Sequence, residues 1–210
     1  INITMGYPLT DIPLAVLFEK LFKLYVNQLK FSKEEHHEFY YKDVLNVLND
    51  PFLNKIEEGK LQKLIKEIKK GNAIFISLNF LKSSLKDNAG NFNTVSLFCF
   101  SNSVEGIIQS CIQFLVALKE VVDGIEKEFV FRFYEVFQQL QALNRKYGYL
   151  EDLKTLALFY KELLRNESLS FQGEPLQGLQ LMGLLETRAL DFKNVIITSL
   201  NEGILPGGKS

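Results

Sequence analysis

The sequence predicts an α/β fold in which helices dominate, and three observations carry that expectation. Three long segments between Val104 and Leu163 place their apolar residues at alternating spacings of three and four, the repeat of an amphipathic helix. The two ends of the chain instead carry short apolar runs of strand length, Ile1 to Met5, Leu179 to Met182 and Val195 to Thr198. Between Lys161 and Gly178 the chain is polar and turn-rich, which marks a boundary between the helical middle and the C-terminal strands.

Taken in order, Ile1 to Met5 alternates as a strand and Gly6-Tyr-Pro-Leu turns the chain. Asp11 is placed to cap a helix that accepts Pro13 in its first turn, with Leu14, Leu17, Phe18, Leu21, Leu24 and Tyr25 on one face. A charged stretch from Lys30 to Glu38 follows. Tyr40 to Leu48 reads as a short helix stopped by Asn49-Asp50-Pro51, and Phe52 to Lys70 as a single further helix with Gly71 beyond it. Ile74 to Leu85 fits helix or strand equally, and Asn93 to Phe100 reads as a strand or as a lead into the next helix. Asn102 and Glu105 have capping-box spacing ahead of the stripe Val104, Ile108, Cys111, Leu115, Leu118 and Val122. A second helix carries Phe129, Phe133, Val136, Phe137, Leu140 and Leu143 and ends at Gly148; a third carries Leu153, Leu156, Ala157, Tyr160 and Leu163. Links this short predict antiparallel packing of the three.

Composition narrows the function classes. The chain has 210 residues, 47% of them hydrophobic, enough to bury a sizeable core. Its net charge of −1 is not that of a free-standing nucleic-acid binder, so any such role has to use a local patch or a partner. Cys99 and Cys111 both lie among apolar neighbours, which predicts two buried thiols in a reducing, cytoplasmic setting. No apolar run reaches the ~18 residues of a membrane span. The chain opens on Ile1-Asn-Ile-Thr without an initiator methionine, which predicts an internal piece of a longer protein.

Few residues offer chemistry. His36-His37 stands in a solvated loop with no further histidine to complete a metal site, and it leaves no Ser/His/Asp or Cys/His set, so neither a metal nor a catalytic residue is expected. The lysines from Lys55 to Lys70 could face phosphates, but Glu57, Glu58 and Glu67 interleave with them and favour a solvated helix face. Most phenylalanines stand at core spacing, which argues against base stacking. Gly203 to Ser210 reads GILPGGKS and matches the phosphate-binding loop G-x-x-x-x-G-K-S, with Lys209 and Ser210 as the nucleotide ligands. Pro206 removes an amide from the middle of that cradle, and the helix that completes it would have to follow Ser210.

The stretch upstream of that loop offers another explanation. Leu179-Gln-Leu-Met-Gly-Leu-Leu-Glu-Thr-Arg-Ala-Leu-Asp-Phe-Lys-Asn-Val-Ile-Ile-Thr-Ser-Leu-Asn-Glu-Gly-Ile-Leu-Pro resembles motif V of UvrD/Rep-type superfamily I helicases, including the closing Glu202-Gly203 and Pro206. The opening strand, turn and helix resemble the lead into the helical insertion of that family's second motor domain. Tyr41-Lys-Asp-Val-Leu-Asn-Val-Leu-Asn-Asp-Pro-Phe resembles the start of that insertion in AddB-type helicase-nuclease subunits. On this resemblance GILPGGKS is the turn after a strand and not a nucleotide loop.

The resemblance implies a small parallel sheet of an incomplete RecA-like domain from residues 1–30 and 171–210, with residues 31–170 as a large helical insertion. It further implies that segments 1–5 and 179–184 meet, and that Leu179–Met182 and Val195–Thr198 are parallel neighbours in a sheet left with an exposed apolar face or edge. The family's DNA-holding threonine and histidine fall at Gly183 and Leu185, which have no side-chain donor, its Lys-Gly at Arg188-Ala189, and its nucleotide-proximal Glu at Asp191. The remaining motor motifs do not occur in these residues. A motor needs them to place and polarise the γ-phosphate, so the implied role is non-catalytic: guiding single-stranded DNA beside a partner subunit in a degenerate helicase-nuclease of double-strand-break repair, with no cofactor. Gly183 and Arg188 are the implied DNA contacts. Arg188 could instead pair with Glu186 or Asp191 and hold the loop, and the helical insertion could instead dock a partner protein.

Overall fold

The computed structural model describes residues 2–3, 6–31, 38–57, 60–85, 92, 94–99, 103–170, 178–183, 187, 191–198 and 201. Eight α-helices dominate these residues, and the short strands form two-stranded pairs. The chain divides into two units, residues 6–169 and residues 1–5 with 170–210. Residues 6–30, grouped by the sequence with the terminal strands, pack inside the helical unit.

In the helical unit, β2 (Gly6–Pro8) pairs with β5 (Ser168–Ser170), and the Leu9 amide donates to the Glu167 carbonyl at 3.2 Å. The first helix, α1 (Pro13–Phe31), starts on its proline, where the missing amide costs nothing. Asp11 does not cap it. It closes the 3₁₀ turn Leu9–Asp11 ahead of the helix, and its carboxylate accepts from the Thr10 hydroxyl at 3.1 Å.

The segment that reads as one helix from Phe52 to Lys70 is two, α3 (Pro51–Ile56) and α4 (Leu61–Gly71). Asp50 starts α3 by accepting from the Phe52 amide at 3.1 Å, and it also takes a 2.9 Å ion pair from Lys20 of α1. Glu57 follows the end of α3; it is 2% exposed and its carboxylate accepts from the Thr94 hydroxyl. Between α1 and α3, β3 (Glu38–Tyr40) leads into α2 (Tyr41–Leu48). The ambiguous stretch after α4 divides into β4 (Phe75–Ser77), antiparallel to β3 with Phe39 opposite Ile76, and α5 (Leu78–Ser84), capped by Ser77. Thr94–Leu97 is a 3₁₀ turn rather than a strand.

The three long helices are α6 (Val104–Val121), α7 (Ile125–Tyr147) and α8 (Leu153–Asn166). The cap of α6 is Ser103, accepting from the Gly106 amide at 3.1 Å, whereas the sequence favoured a box with Asn102, which lies outside the described residues. Glu105 is engaged elsewhere. It accepts from Gln141 at 3.0 Å and from Arg145 at 2.9 Å, so the start of α6 meets the end of α7 and the pair runs antiparallel. Gly148 ends α7 at φ 64°, the left-handed conformation that a side chain would strain.

The core sits where these helices converge on α1. The Phe18 ring lies 4.6 Å from Phe137, 5.8 Å from Phe133, 6.0 Å from Phe114 and 6.2 Å from Tyr160, all fully buried. Two phenols are buried with them: Tyr25 donates to the Leu97 carbonyl at 2.8 Å and Tyr160 to the Ala15 carbonyl at 3.4 Å. Burial raises both phenol pKa values well above normal, so both stay protonated donors.

In the other unit, β1 (Asn2–Ile3) and β6 (Gln180–Leu181) pair in parallel, with Asn2 opposite Gln180 and Ile3 opposite Leu181. The opening segment and segment 179–184 therefore do meet. The wider sheet does not form among the described residues: Val195–Thr198 is not a strand, and Val195, Ile196 and Ile197 are 64, 89 and 55% exposed. β-Propensity records packing on a pleated surface, and among the described residues no ladder lies against this run to supply that surface.

Candidate nucleic-acid interface

The predicted DNA loop begins two residues beyond β6, and Gly183 is half-buried. Arg188 lies outside the described residues, as do Leu185, Glu186 and Ala189, so its pairing with Glu186 or Asp191 does too. Asp191 is exposed. Of the predicted site residues, the structure thus describes Gly183 and Asp191. The loop Gly203–Ser210, with Lys209 and Ser210, lies outside the described residues, and so does His36-His37. Among the described residues no cluster of three or more His, Cys, Asp or Glu is placed to hold a metal.

The two thiols differ, where the sequence predicted both buried. Cys111 is fully buried, and desolvation pushes its thiol far above the ordinary range. Cys99 is exposed; desolvation raises its pKa and nearby Lys82 partly offsets that. Neither is a poised nucleophile.

Several basic residues of the helical unit meet carboxylates. Lys20 pairs with Asp50, Lys55 with Glu126, Lys161 with Glu19, and Arg145 with Glu105. Arg132 lies between Glu128 and Glu135 on its own helix. On α4 the lysines outside such pairs cluster on one side. Its apolar side buries Leu61, Leu64, Ile65 and Ile68, and its exposed side carries Lys63, Lys66, Lys69 and Lys70 with Glu67 as the single acid. Among the described residues none of these four lysines makes an ion pair.

Sequence reasoning set this face aside because acids interleave with the lysines. Glu57, however, is turned into the core by its bond to Thr94. Glu58 lies outside the described residues. No sequence signal marks the burial of Glu57, since its partner comes from a different segment. Beside α4 lies a shallow depression of about 290 Å³, lined by Glu57, Lys60, Lys63, Glu67, Ser83 and Ser84 over Leu64 and Leu85.

The aromatic residues divide in the same way. The phenylalanines of the Phe18 cluster are inaccessible to bases. Tyr147 and Tyr149 are exposed, stacked at 5.2 Å and 7°, with the Lys146 ammonium 4.9 Å over Tyr147. No described helix is long and apolar enough to cross a membrane.

No family model, no curated protein and no solved structure matches this chain.

Proposed function

We propose that this chain is a non-catalytic, DNA-guiding part of a degenerate superfamily I helicase, nearest in character to the AddB-type subunits of helicase-nucleases in DNA repair and recombination. In this reading residues 1–5 and 170–210 belong to an incomplete RecA-like second motor domain of the parent, and the helical unit is its insertion. The observation that carries it is the parallel pairing of Asn2–Ile3 with Gln180–Leu181, which joins the strand before the helical unit to the strand that opens the motif-V-like segment. A helical body inserted between two adjacent parallel strands is the arrangement that the resemblance implies.

Single-stranded DNA is held by the Gly183–Ala189 loop through backbone amides and the Arg188 guanidinium, and a partner subunit supplies the motor. The chain itself takes no cofactor. The test is a pair of equilibrium titrations of the 210-residue chain. Single-stranded DNA should bind weakly, with an affinity that falls steeply with salt and falls further in Arg188→Ala. A fluorescent ATP analogue with Mg²⁺ should not bind; micromolar binding abolished by Lys209→Ala would overturn the reading in favour of a nucleotide loop at GILPGGKS.

A further inference from the structure

From the exposed face of α4 we infer a second contact surface for single-stranded nucleic acid, in which Lys63, Lys66 and Lys70 neutralise successive backbone phosphates and Lys60 continues the track at the start of the helix. The first support is charge. Residues 60–71 hold Lys60, Lys63, Lys66, Lys69 and Lys70 against Glu67, in a chain whose net charge is −1. The neighbouring acid Glu57 is 2% exposed and accepts from the Thr94 hydroxyl, and four lysines stand on α4 within eight residues.

The second support is what the face lacks. A helix that lies on a membrane needs an exposed apolar side to insert, and a protein interface is anchored by aromatic or other large side chains entering pockets. The apolar residues of α4 are all used in the core, and its outward positions are Gln62, Lys63, Lys66, Glu67, Lys69 and Lys70. Phosphate binding needs no apolar anchor. A lysine ammonium is a point charge that meets a phosphate from many directions, so contacts of this kind hold a strand without reading its sequence.

The third support is dimension. Lys60 to Lys70 spans about 15 Å along the helix at ~1.5 Å per residue, room for about four phosphates at the ~3.4 Å per-strand spacing of stacked nucleic acid. The adjoining depression places the exposed Ser84 alongside Lys60 and Lys63 as an uncharged donor for the same backbone, while the Ser83 hydroxyl donates to the Phe80 carbonyl. The inference rests on the DNA-guiding reading for the choice of a single strand, and it deepens that reading by placing a contact in the helical unit.

The test uses the 210-residue chain, a fluorescein-labelled oligothymidylate and anisotropy titrations across a fourfold range of NaCl. Four phosphate contacts at about 0.7 each give a log–log slope near −3, a loss of about fifty-fold over that range. Lys63→Gln/Lys66→Gln/Lys70→Gln should flatten the slope by about 2 and weaken binding at the lowest salt at least tenfold. Lys42→Gln/Lys119→Gln/Lys154→Gln, an equal change of charge at exposed positions elsewhere, should leave the slope unchanged. Equal losses in both triple variants, or no loss in the first, would overturn the α4 assignment while the DNA-guiding reading stands. No oligothymidylate binding by the unmodified chain would overturn that reading and this one with it. Equally tight, equally lysine-dependent binding of polyglutamate would replace the nucleic acid with an acidic protein segment and so overturn the inference.

Discussion

Phe18→Ala removes a ring on α1 that touches rings on α6, α7 and α8 together. Its side chain is fully buried, with Phe137 at 4.6 Å and Phe133, Phe114 and Tyr160 at 5.8 to 6.2 Å. Four ordered rings cannot collapse into the space without leaving their own contacts, so the cavity term adds to the lost transfer energy. Truncations of this kind cost about 3–5 kcal/mol, a large share of the ~5–15 kcal/mol that holds a domain folded. At ~2–4 °C per kcal/mol for a chain of this size, melting should fall by about 12 °C. Urea unfolding followed by far-UV circular dichroism measures the loss, and Phe18→Leu should lose less than half as much. Phe131 is 50% exposed on α7, and Phe131→Ala should change stability by no more than ~0.5 kcal/mol. A loss below ~1 kcal/mol in Phe18→Ala would refute convergence of the long helices on this ring.

Two further outcomes follow from single side chains. Asp152 caps α8 by accepting from the Thr155 amide at 2.7 Å, and that bond is the largest cause holding its pKa below the usual carboxylate value. A folded-state pKa below the unfolded one contributes stability that is present above the unfolded value and lost as pH falls through the folded one. The melting-temperature advantage of the wild type over Asp152→Ala should therefore shrink as pH falls through the carboxylate range, and an advantage constant into strong acid would contradict the capping role. With Ellman's reagent Cys99 should react in the native state and Cys111 only after denaturation; two thiols reacting at one rate would contradict the buried placement of Cys111.

The candidate interface was legible in part. The resemblance selected the Gly183–Asp191 segment, and the structure brings the strand ahead of it beside Asn2–Ile3. The α4 face was visible in the sequence as five lysines, but its charge balance was not. Whether Glu57 counts among the face's acids depends on Thr94, 37 residues further on. The exposed Tyr147–Tyr149 stack was missed for a similar reason, since nothing local to Arg145–Tyr149 tells an exposed aromatic from a buried one.

By itself the sequence determined the helical class of the chain, its three long amphipathic segments, the stop at Gly148 and most of the residues that make the core. These follow from local periodicity and backbone preference, which a few neighbouring residues set. It did not determine where Phe52–Lys70 breaks, that Ser103 and not Asn102 caps α6, or that Cys99 is exposed while Cys111 is buried. Nor did it determine that Val195–Thr198 stays out of a strand. Two of these turn on residues distant in sequence: Thr94, which bonds Glu57, and a paired neighbour that Val195–Thr198 does not find among the described residues. A helix closes its hydrogen bonds within its own segment, whereas a strand or a buried carboxylate is completed by the rest of the chain, and only the tertiary structure decides which residue completes it.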